Sequence, residues 1–353
     1  MKVLVIGPSP TKSKGGMATV IEEIAKDQKL NKQFDIDIYE SYIDGNKLKV
    51  LLFSAISFIR FYFTKRNYDI YHIHAASYGS TFRKGLYVKT AKRWGKKVIL
   101  HIHGAEYMKF FEGLSDRKKQ KVIGILKACD MVIALSQDWK KKFDSTFGLN
   151  NCEVLENGID MGRLSPAIQD PAIHQEEFVT LGRLGERKGT YDLIEAVDIA
   201  RKTVPNIKCY LAGDGEVIKV KELVKVKQLE NNIDVVGWAN FDKKLELLKS
   251  VSTVVLPSYN EGLPMSILEG MACGKAIIST TVGAIPEVVG RENGILVEAG
   301  NIEALSKALI ECAQNLGKIK RMSECNIDKI KNHFSMDVMH DLLSKYYTDV
   351  LNA

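Results

Sequence analysis

Residues 253–279 read TVVLPSYNEGLPMSILEGMACGKAIIS. The short apolar runs at the two ends of this stretch predict buried strands. Between them, Pro264 suits the first turn of a helix and Gly274 suits the residue just past its end, so we expect a helix over about residues 265–273. A strand, a helix and a second strand in this order predict a βαβ unit, in which the two strands are parallel.

The same alternation of strands and helices extends along the chain. The predicted strands are 3–6, 34–39, 70–74, 97–101, 131–134 and 153–155, then 177–181, 208–212, 233–236, 253–256 and 276–279. Two series of this kind predict two doubly wound α/β domains, whose ligands bind at the carboxyl ends of the strands. A polar, proline-marked stretch, 165–171, separates the series. We expect a first domain over 1–165, a second over 176–335, and a final helix within 336–353.

Two carboxylates flank the start of the 265–273 helix. Glu261 lies in the preceding loop and Glu269 lies about one turn inside the helix. The backbone N–H groups from Gly262 to Ser266 come between them, at the positive end of the helix dipole. Carboxylates accept hydrogen bonds from sugar hydroxyls and a helix start stabilises anionic oxygens, so the pattern fits a nucleotide-sugar. The alternative is a helix with two ordinary surface glutamates.

Two cations follow the first strand of the second series. Arg183 and Lys188 lie in the loop before a helix expected from about Thr190. Together they can neutralise a diphosphate, which arginine does with a bidentate fork. The alternative is a surface ion pair with Glu186.

Glycines mark a second loop-to-helix start. Gly15 and Gly16 follow the first strand of the chain. A backbone without side chains lets a phosphate or a sugar approach its N–H groups closely. A Gly pair is by itself also typical of an ordinary turn.

The histidines occur in two doublets at the ends of apolar strands. His72 and His74 alternate on one strand, as His101 and His103 do on another, so each doublet could chelate a metal ion. The sequence places no third ligand beside either doublet. We therefore expect no metal site there.

These blocks resemble the signature of the group 1 glycosyltransferases, family 4 of the retaining nucleotide-sugar transferases. In chain order they are Gly15-Gly16, His103-Gly104, Asn157-Gly158-Ile159-Asp160, Gly182-Arg183-Leu184 with Arg187-Lys188-Gly189, Gly213-Asp214-Gly215, Gly237-Trp238, 261–274 and Gly283-Ala284-Ile285-Pro286-Glu287. Ala284 stands where the family has a second glycine. The resemblance covers essentially the whole chain. It implies the GT-B fold, in which two Rossmann-like domains face a central cleft and the final helix crosses back onto the first domain.

The resemblance also implies roles for individual residues. His103 and Glu261 are the catalytic residues that contact the donor sugar, with no established protein nucleophile. The donor diphosphate is bound by Gly15, Gly16, Arg183, Lys188, Leu263, Pro264 and Met265. The nucleoside and the sugar are bound by Gly213, Gly237, Gly262 and Glu269, with Glu269 on the ribose hydroxyls. Because two cations and a helix dipole serve the diphosphate, we expect no metal and no other cofactor.

Composition limits the class of protein. The 353 residues are 45% apolar and 26% charged, as in a globular protein with room for two domains. The six cysteines are scattered, which disfavours a disulfide or zinc framework and fits a reducing cytosol. Residues 1–160 carry 27 Lys and Arg against 17 Asp and Glu, a net of +10, whereas 161–353 have a net of −3. Because no nucleic-acid motif accompanies the basic half, the alternatives for it are an anionic membrane surface and a solvated face without a partner.

Residues 48–66 are apolar over a short central stretch with basic residues at both ends. This stretch is shorter than the ~20 residues that span a bilayer. Either the helix packs within the domain, or its apolar face touches the membrane near a lipid-linked acceptor.

We therefore expect a retaining glycosyltransferase that moves a hexose from a nucleotide-sugar, a UDP-sugar, to a glycan. We expect a lipid-diphosphate-linked acceptor at the cytoplasmic face of the cell membrane, in the assembly of a surface polysaccharide (O-antigen, capsule or exopolysaccharide). Two alternatives remain open, a nucleotide-sugar epimerase of the same fold and a non-catalytic nucleotide-sugar-binding protein. A dinucleotide-dependent oxidoreductase is disfavoured because no Gly-any-Gly-any-any-Gly follows the first strand.

Overall fold

A computed structural model describes residues 1–13, 16–104, 106–172 and 174–353. These residues form two compact units. The first consists of Met1–Gly158 with Met336–Ala353, and the second consists of Ile159–Ser335.

The first unit is built around one parallel sheet. Its described elements are β1 Lys2–Pro8, α1 Gly16–Lys26, α2 Gln28–Gln33, β2 Asp35–Tyr42, α3 Lys47–Thr64, β3 Ile70–Ala75, α4 Gly79–Arg93, β4 Lys97–Ile102, α5 Tyr107–Glu112, α6 Asp116–Lys127, β5 Met131–Ala134, α7 Gln137–Phe147, β6 Cys152–Val154 and α16 Met336–Asn352. The strand order is β2-β1-β3-β4-β5-β6, and every pairing is parallel. Helices cover both faces of such a sheet, which is why its central strands are continuous buried runs.

The second unit repeats this architecture. Its described elements are α8 Met161–Leu164, a 3-10 turn Ser165–Ala167, β7 Glu177–Leu181, a 3-10 turn Glu186–Lys188, α9 Thr190–Ala200, β8 Lys208–Ala212, α10 Val217–Val226, β9 Ile233–Gly237, α11 Phe241–Lys249, β10 Thr253–Leu256, α12 Met265–Ala272, β11 Ala276–Thr280, α13 Ile285–Val288, β12 Gly294–Val297, α14 Ile302–Gln314, α15 Leu316–Lys329 and a π turn Ile330–Phe334. The strand order is β12-β11-β10-β7-β8-β9, again with parallel pairings. The two doubly wound α/β units predicted from the sequence are confirmed.

The division between the units differs from the predicted one. The first domain, predicted over 1–165, ends at Gly158, and the second begins at Ile159 rather than at residue 176. The reason is packing of the connecting segment within the second unit. The Cys273 thiol lies 3.7 Å from the carbonyl oxygen of Leu164, and the guanidinium of Arg163 lies 4.1 Å from the ring centre of Phe241.

The apolar spacing of residues 17–29 predicts a single helix, but the structure has two helices there, α1 and α2. Asp27 has an extended backbone (φ −68°, ψ 120°), and its side chain accepts a hydrogen bond from the N–H of Leu30. Asp27 therefore ends α1 and caps the start of α2, as short polar residues commonly do.

The helix α3 has an unusual distribution of polarity. Its buried residues include the hydroxyl side chains Ser54 and Ser57, and Ser57 Oγ donates to the carbonyl oxygen of Glu40 at 2.7 Å. Its exposed side chains are largely apolar, namely Leu48, Leu51, Leu52, Ile56, Ile59, Tyr62 and Phe63. Across the described part of the chain, no helix has both the length and the apolar character that a membrane crossing requires.

Candidate active site

The motif residues of the second unit collect at one edge of its sheet. The strand order changes direction between β10 and β7. Doubly wound sheets bind their ligands beyond the carboxyl ends of the strands at such a switch point. Lys188 lies in the segment after β7, and Glu261 lies in the segment after β10. Strand order therefore brings both residues to the place where this architecture binds ligands.

Lys188 and Glu261 form a buried ion pair. Nζ of Lys188 lies 2.5 Å from Oε1 of Glu261, and the two side chains are only 15% and 7% exposed. Ser258 Oγ donates to the same carboxylate oxygen at 2.7 Å. Among the described residues, the ion-pair partner of Lys188 is thus Glu261 and not Glu186. An anion that binds here competes with a carboxylate for this ammonium group.

Arg183 lies on a loop that is fixed by backbone hydrogen bonds. The N–H of Leu184 donates to the carbonyl oxygen of Asp214 at 2.6 Å. The N–H of Glu216 donates to the carbonyl oxygen of Leu184 at 3.0 Å. These bonds join the loops after β7 and β8. The exposed guanidinium of Arg183 is therefore displayed from a defined backbone at the carboxyl edge of the sheet.

The predicted site glycines Gly213 and Gly237 lie beside this loop. A Cβ atom on Gly213 would come within 1.7 Å of the carbonyl oxygen of Gly182, so only glycine allows this approach. The N–H of Gly213 donates to the carbonyl oxygen of Gly237 at 2.7 Å. Both glycines thus hold the ends of β7, β8 and β9 close together around Arg183.

Glu269 also has a lysine partner. Nζ of Lys244, on α11, lies 2.5 Å from Oε1 of Glu269, and the side chains are 23% and 11% exposed. Glu269 is in the second turn of α12, which begins at Met265 as the sequence predicts. Sequence reasoning missed Lys244, because it belongs to a different helix and to no recognisable motif.

The residues before α12 form a tight, buried entry to the helix. Gly262, Leu263 and Pro264 are buried and Met265 is half-buried. The carbonyl oxygen of Gly262 accepts a hydrogen bond from the N–H of Ala284 at 3.0 Å. The predicted diphosphate contacts therefore sit on a backbone held from the loop after β11.

The substitution of alanine for the family's second glycine is accommodated there. Gly283 has φ of 59°, and a Cβ on it would lie 2.1 Å from the carbonyl oxygen of Glu261. Ala284 has φ of −86°, which any residue adopts. Residue 283, whose backbone requires glycine, is thus still a glycine.

Predicted site residues of the first unit lie at the carboxyl edge of its own sheet. Gly16 is the first residue of α1, and His103 directly follows β4. The backbone N–H of His103 donates to the carbonyl oxygen of Ala75 at 2.8 Å. Gly15, the other predicted phosphate contact, lies outside the described residues.

The pairing of β3 with β4 unites the two histidine doublets. His74 lies opposite His101 in the register. Ring nitrogens of His72, His74 and His101 all lie within 4.8 Å of one another, and all three residues are buried. The third candidate ligand, which the sequence could not place, is therefore supplied by the neighbouring strand. Burial lowers the pKa of His72 and of His103 to about 3 and lowers those of His74 and His101 well below their usual value.

Two family models match the chain, one in each half. Residues 25–163 match the model described as Glycosyltransferase Family 4, and residues 175–315 match the model described as Glycosyl transferases group 1. The chain belongs to the family 4, group 1 glycosyltransferases.

Relatives and solved structures agree with this assignment to the family. A glycosyltransferase of Methanocaldococcus jannaschii is 25% identical over 360 residues, which cover 91% of each chain. The UDP-Gal:alpha-D-GlcNAc-diphosphoundecaprenol alpha-1,3-galactosyltransferase of Escherichia coli is 26% identical over 312 residues, 81% of this chain and 77% of its own. The structure of Anabaena HepE in complex with UDP-glucose superposes with a TM-score of 0.78 at 19% identity, covering 99% of this chain and 100% of that one. The glycosyltransferase has the GT-B fold.

Proposed function

We propose that this glycosyltransferase moves a hexose from a UDP-sugar to a glycan acceptor with retention of the anomeric configuration. The observation that carries the proposal is the buried Lys188–Glu261 ion pair at the switch point of the second sheet. A donor diphosphate gives Lys188 a new anionic partner, and Glu261 is then able to accept hydrogen bonds from the sugar hydroxyls. The similar fold of HepE, which was solved with UDP-glucose, supports UDP as the nucleotide.

Two cationic side chains assist the departure of the nucleoside diphosphate. Arg183 and Lys188 offset the charge that develops on the nucleoside diphosphate as the glycosidic bond breaks. The start of α12, next to Leu263, Pro264 and Met265, adds the positive end of a helix dipole. This set takes the place of a divalent cation, so transfer proceeds without metal.

The experiment that tests this function is a donor panel. Purified protein is incubated with UDP-, GDP- and ADP-sugars and a synthetic lipid-diphosphate acceptor, with and without EDTA, and the anomeric configuration of the product is determined by NMR. We expect transfer with retention, fastest from a UDP-sugar and unchanged by EDTA. Epimerised nucleotide-sugar without acceptor would identify an epimerase instead. Loss of transfer in EDTA and its recovery with Mg²⁺ or Mn²⁺ would contradict metal-independent departure.

Replacement of Arg183 by alanine should weaken the binding of UDP by about one to two orders of magnitude, because a charge-assisted hydrogen bond contributes roughly 1.5–3 kcal/mol. Isothermal titration calorimetry measures the effect. Arg321→Ala is the matched control, since it removes an exposed arginine from α15, a helix that carries none of the predicted site residues. Unchanged affinity for UDP, GDP and ADP in the Arg183→Ala protein would remove Arg183 from the diphosphate site.

For the acceptor we propose a lipid-diphosphate-linked glycan at the cytoplasmic face of an anionic membrane, as in surface polysaccharide assembly. The name of the Escherichia coli relative states a diphosphoundecaprenol acceptor.

The apolar face of α3 supports the membrane part of the proposal. Leu48 and Phe63, near its two ends, are 75% and 77% exposed. Exposed basic residues border the same helix, namely Lys47, Lys49, Arg60 and Arg66. An apolar face with a basic border suits the interface of an anionic bilayer.

Much of the positive charge of the first unit lies in the stretch 83–97, which the sequence also suggests for membrane contact and which holds Arg83, Lys84, Lys89, Lys92, Arg93, Lys96 and Lys97. This stretch contributes less to such a surface than its charge suggests. Lys84 is only 3% exposed and hydrogen-bonds to Ser41, and burial lowers its pKa to about 7. Lys92 and Lys97 both form ion pairs with Asp130. We therefore assign membrane binding mainly to α3.

Flotation with anionic vesicles tests this assignment. The Leu52→Ser/Ile56→Ser/Phe63→Ser protein should bind vesicles at least tenfold more weakly than the wild type, because each lost apolar side chain contributes about 1.5–3 kcal/mol when buried. The control is Ile218→Ser/Val226→Ser, which removes from α10 in the second unit apolar side chains that are at least as exposed. Wild-type binding should also fall with added salt. Equal flotation of all three proteins at low salt would leave α3 a solvated face and favour a soluble acceptor.

A further inference from the structure

The four histidines of the first unit form one contiguous group. Because alternate residues of a strand share a face, His72 and His74 on β3 lie on the same side of the sheet as His101 and His103. His72 and His74 are fully buried and His101 is 1% exposed, whereas His103, just beyond β4, is half-buried. The group thus reaches from the interior of the unit to the residue that we expect to contact the donor sugar.

The imidazoles are paired edge to edge. Nδ1 of His74 lies 2.8 Å from Nε2 of His103, although the ring centres are 5.0 Å apart with an interplanar angle of 19°. Nε2 of His72 lies 3.3 Å from Nδ1 of His101, with the centres 5.5 Å apart at 5°. In each pair the nitrogens are closer than the centres, so an edge of one ring faces an edge of the other. These are the positions of N–H···N hydrogen bonds.

This arrangement does not favour a shared metal ion. An ion binds an imidazole nitrogen along its lone pair, in the plane of the ring. Both ring nitrogens of His72 are engaged, Nδ1 with the hydroxyl of Tyr347 and Nε2 with His101, so an ion held by His72, His74 and His101 together would require one of these hydrogen bonds to open. The lowered pKa values described above keep all four rings neutral near pH 7, with one N–H and one lone pair each.

The direction of the bond to His103 follows from the other nitrogen of His74. Nε2 of His74 is buried and has no hydrogen-bond partner among the described residues. An orphaned buried N–H is rarer in proteins than an under-satisfied acceptor. The proton of His74 therefore resides on Nδ1, from which it is donated to Nε2 of His103.

The second pair obeys the same rule. Nε2 of His101 is also buried without a described partner. With its proton on Nδ1, His101 donates to Nε2 of His72. His72 then donates from Nδ1 to the hydroxyl of Tyr347, 2.8 Å away on α16. This tautomer assignment gives each of the three hydrogen bonds of the group one donor and one acceptor.

We propose that His74 is a positioning residue that fixes the tautomer of His103, with the His103 proton on Nδ1 available to an oxygen of the donor sugar. The proposal rests on the proposed function, in which His103 contacts that sugar. His103 then acts as a neutral donor whose N–H does not change with pH in the physiological range. His74 itself does not touch the substrate.

Nitrogen NMR of protein labelled with ¹⁵N-histidine tests the tautomer without any substrate. The His103→Gln protein identifies the His103 signals. We expect Nδ1 of His103 to be protonated in the wild type and in His74→Asn, whose side-chain amide places a donor near the original Nδ1. In His74→Leu we expect the proton on Nε2 or a mixture of both forms. A wild-type His103 that is protonated on Nε2, or on both nitrogens at pH 7, would overturn the proposal.

Kinetics separate positioning from a structural role. His74→Leu should lower kcat by about tenfold, the effect of one neutral hydrogen bond, and leave the Kd for free UDP unchanged. His74→Asn should recover most of the loss. The control is His72→Leu, equally buried but not bonded to His103, which should have a clearly smaller effect. Equal losses in His72→Leu and His74→Leu would mean that the group is only structural. If the wild type transfers no sugar from any donor, the proposed function fails, but the NMR result still decides the tautomer.

Discussion

In the Glu261→Gln protein, we expect turnover to fall by about one to two orders of magnitude and free UDP to bind at least as tightly as it does to the wild type. Turnover falls because an amide is a weaker acceptor than a carboxylate for the sugar hydroxyls. UDP binding is preserved because Lys188, which lies 2.5 Å from Glu261, loses a competing carboxylate and is left to the diphosphate. Steady-state kinetics and calorimetry measure the two effects separately.

The matching substitution in α12, Glu269→Gln, should affect nucleotide binding instead. Glu269→Gln should weaken the binding of free UDP by about tenfold or more, since we expect Glu269 to receive the ribose hydroxyls. The control for both variants is Glu303→Gln, which alters a glutamate whose ion pair with Lys307 is highly exposed and should change neither quantity. Equal losses of UDP affinity in Glu261→Gln and Glu269→Gln would refute the division of roles.

Acid should destabilise the first unit well before its carboxylates are protonated. Burial holds the pKa values of His72, His74, His101 and His103 below their ordinary value of 6.5 in the folded state. As the pH falls below 6.5, these histidines take up protons in the unfolded chain but not in the folded one. The free energy of unfolding then decreases by about 1.4 kcal/mol per pH unit for each histidine, or by about 5.6 kcal/mol per pH unit for the four together. The loss continues until the pH reaches the folded-state values, near 3 for His72 and His103.

Urea unfolding at several pH values between 7.5 and 5 measures this slope. A Trp238→Phe background leaves Trp94 and Trp139, both in the first unit, as the tryptophans of the chain, so fluorescence reports on that unit. His72→Asn should make the slope shallower by about a fifth to a quarter, because it removes one of the four clustered histidines, while His340 of α16, whose pKa is also lowered by burial, contributes to the same slope. A free energy of unfolding that is constant from pH 6.5 to 5 would contradict the burial of neutral histidines.

Local features of the chain were predictable because they depend on neighbours in sequence. The bounds of α12 follow from Pro264 and Gly274, and Gly274 indeed has a left-handed φ of 66°. The short run Gly294–Val297 was missed as a strand, since four residues carry too little periodicity. The prediction of a single helix over 17–29 was wrong because Asp27 ends the first helix and caps the start of the second one.

The sequence by itself determined the α/β alternation, the two-unit organisation and the family motifs, since each depends on periodicity and turn residues within short stretches. Only the tertiary structure decided which of these residues meet. Lys188 and Glu261 are 73 residues apart and become partners because β7 and β10 are adjacent strands. The two histidine doublets join because β3 pairs with β4 in a register that places His74 opposite His101. Strand order and register depend on packing over the whole sheet, so the pairing of β3 with β4 and of β7 with β10 could not be read from the residues of either strand alone.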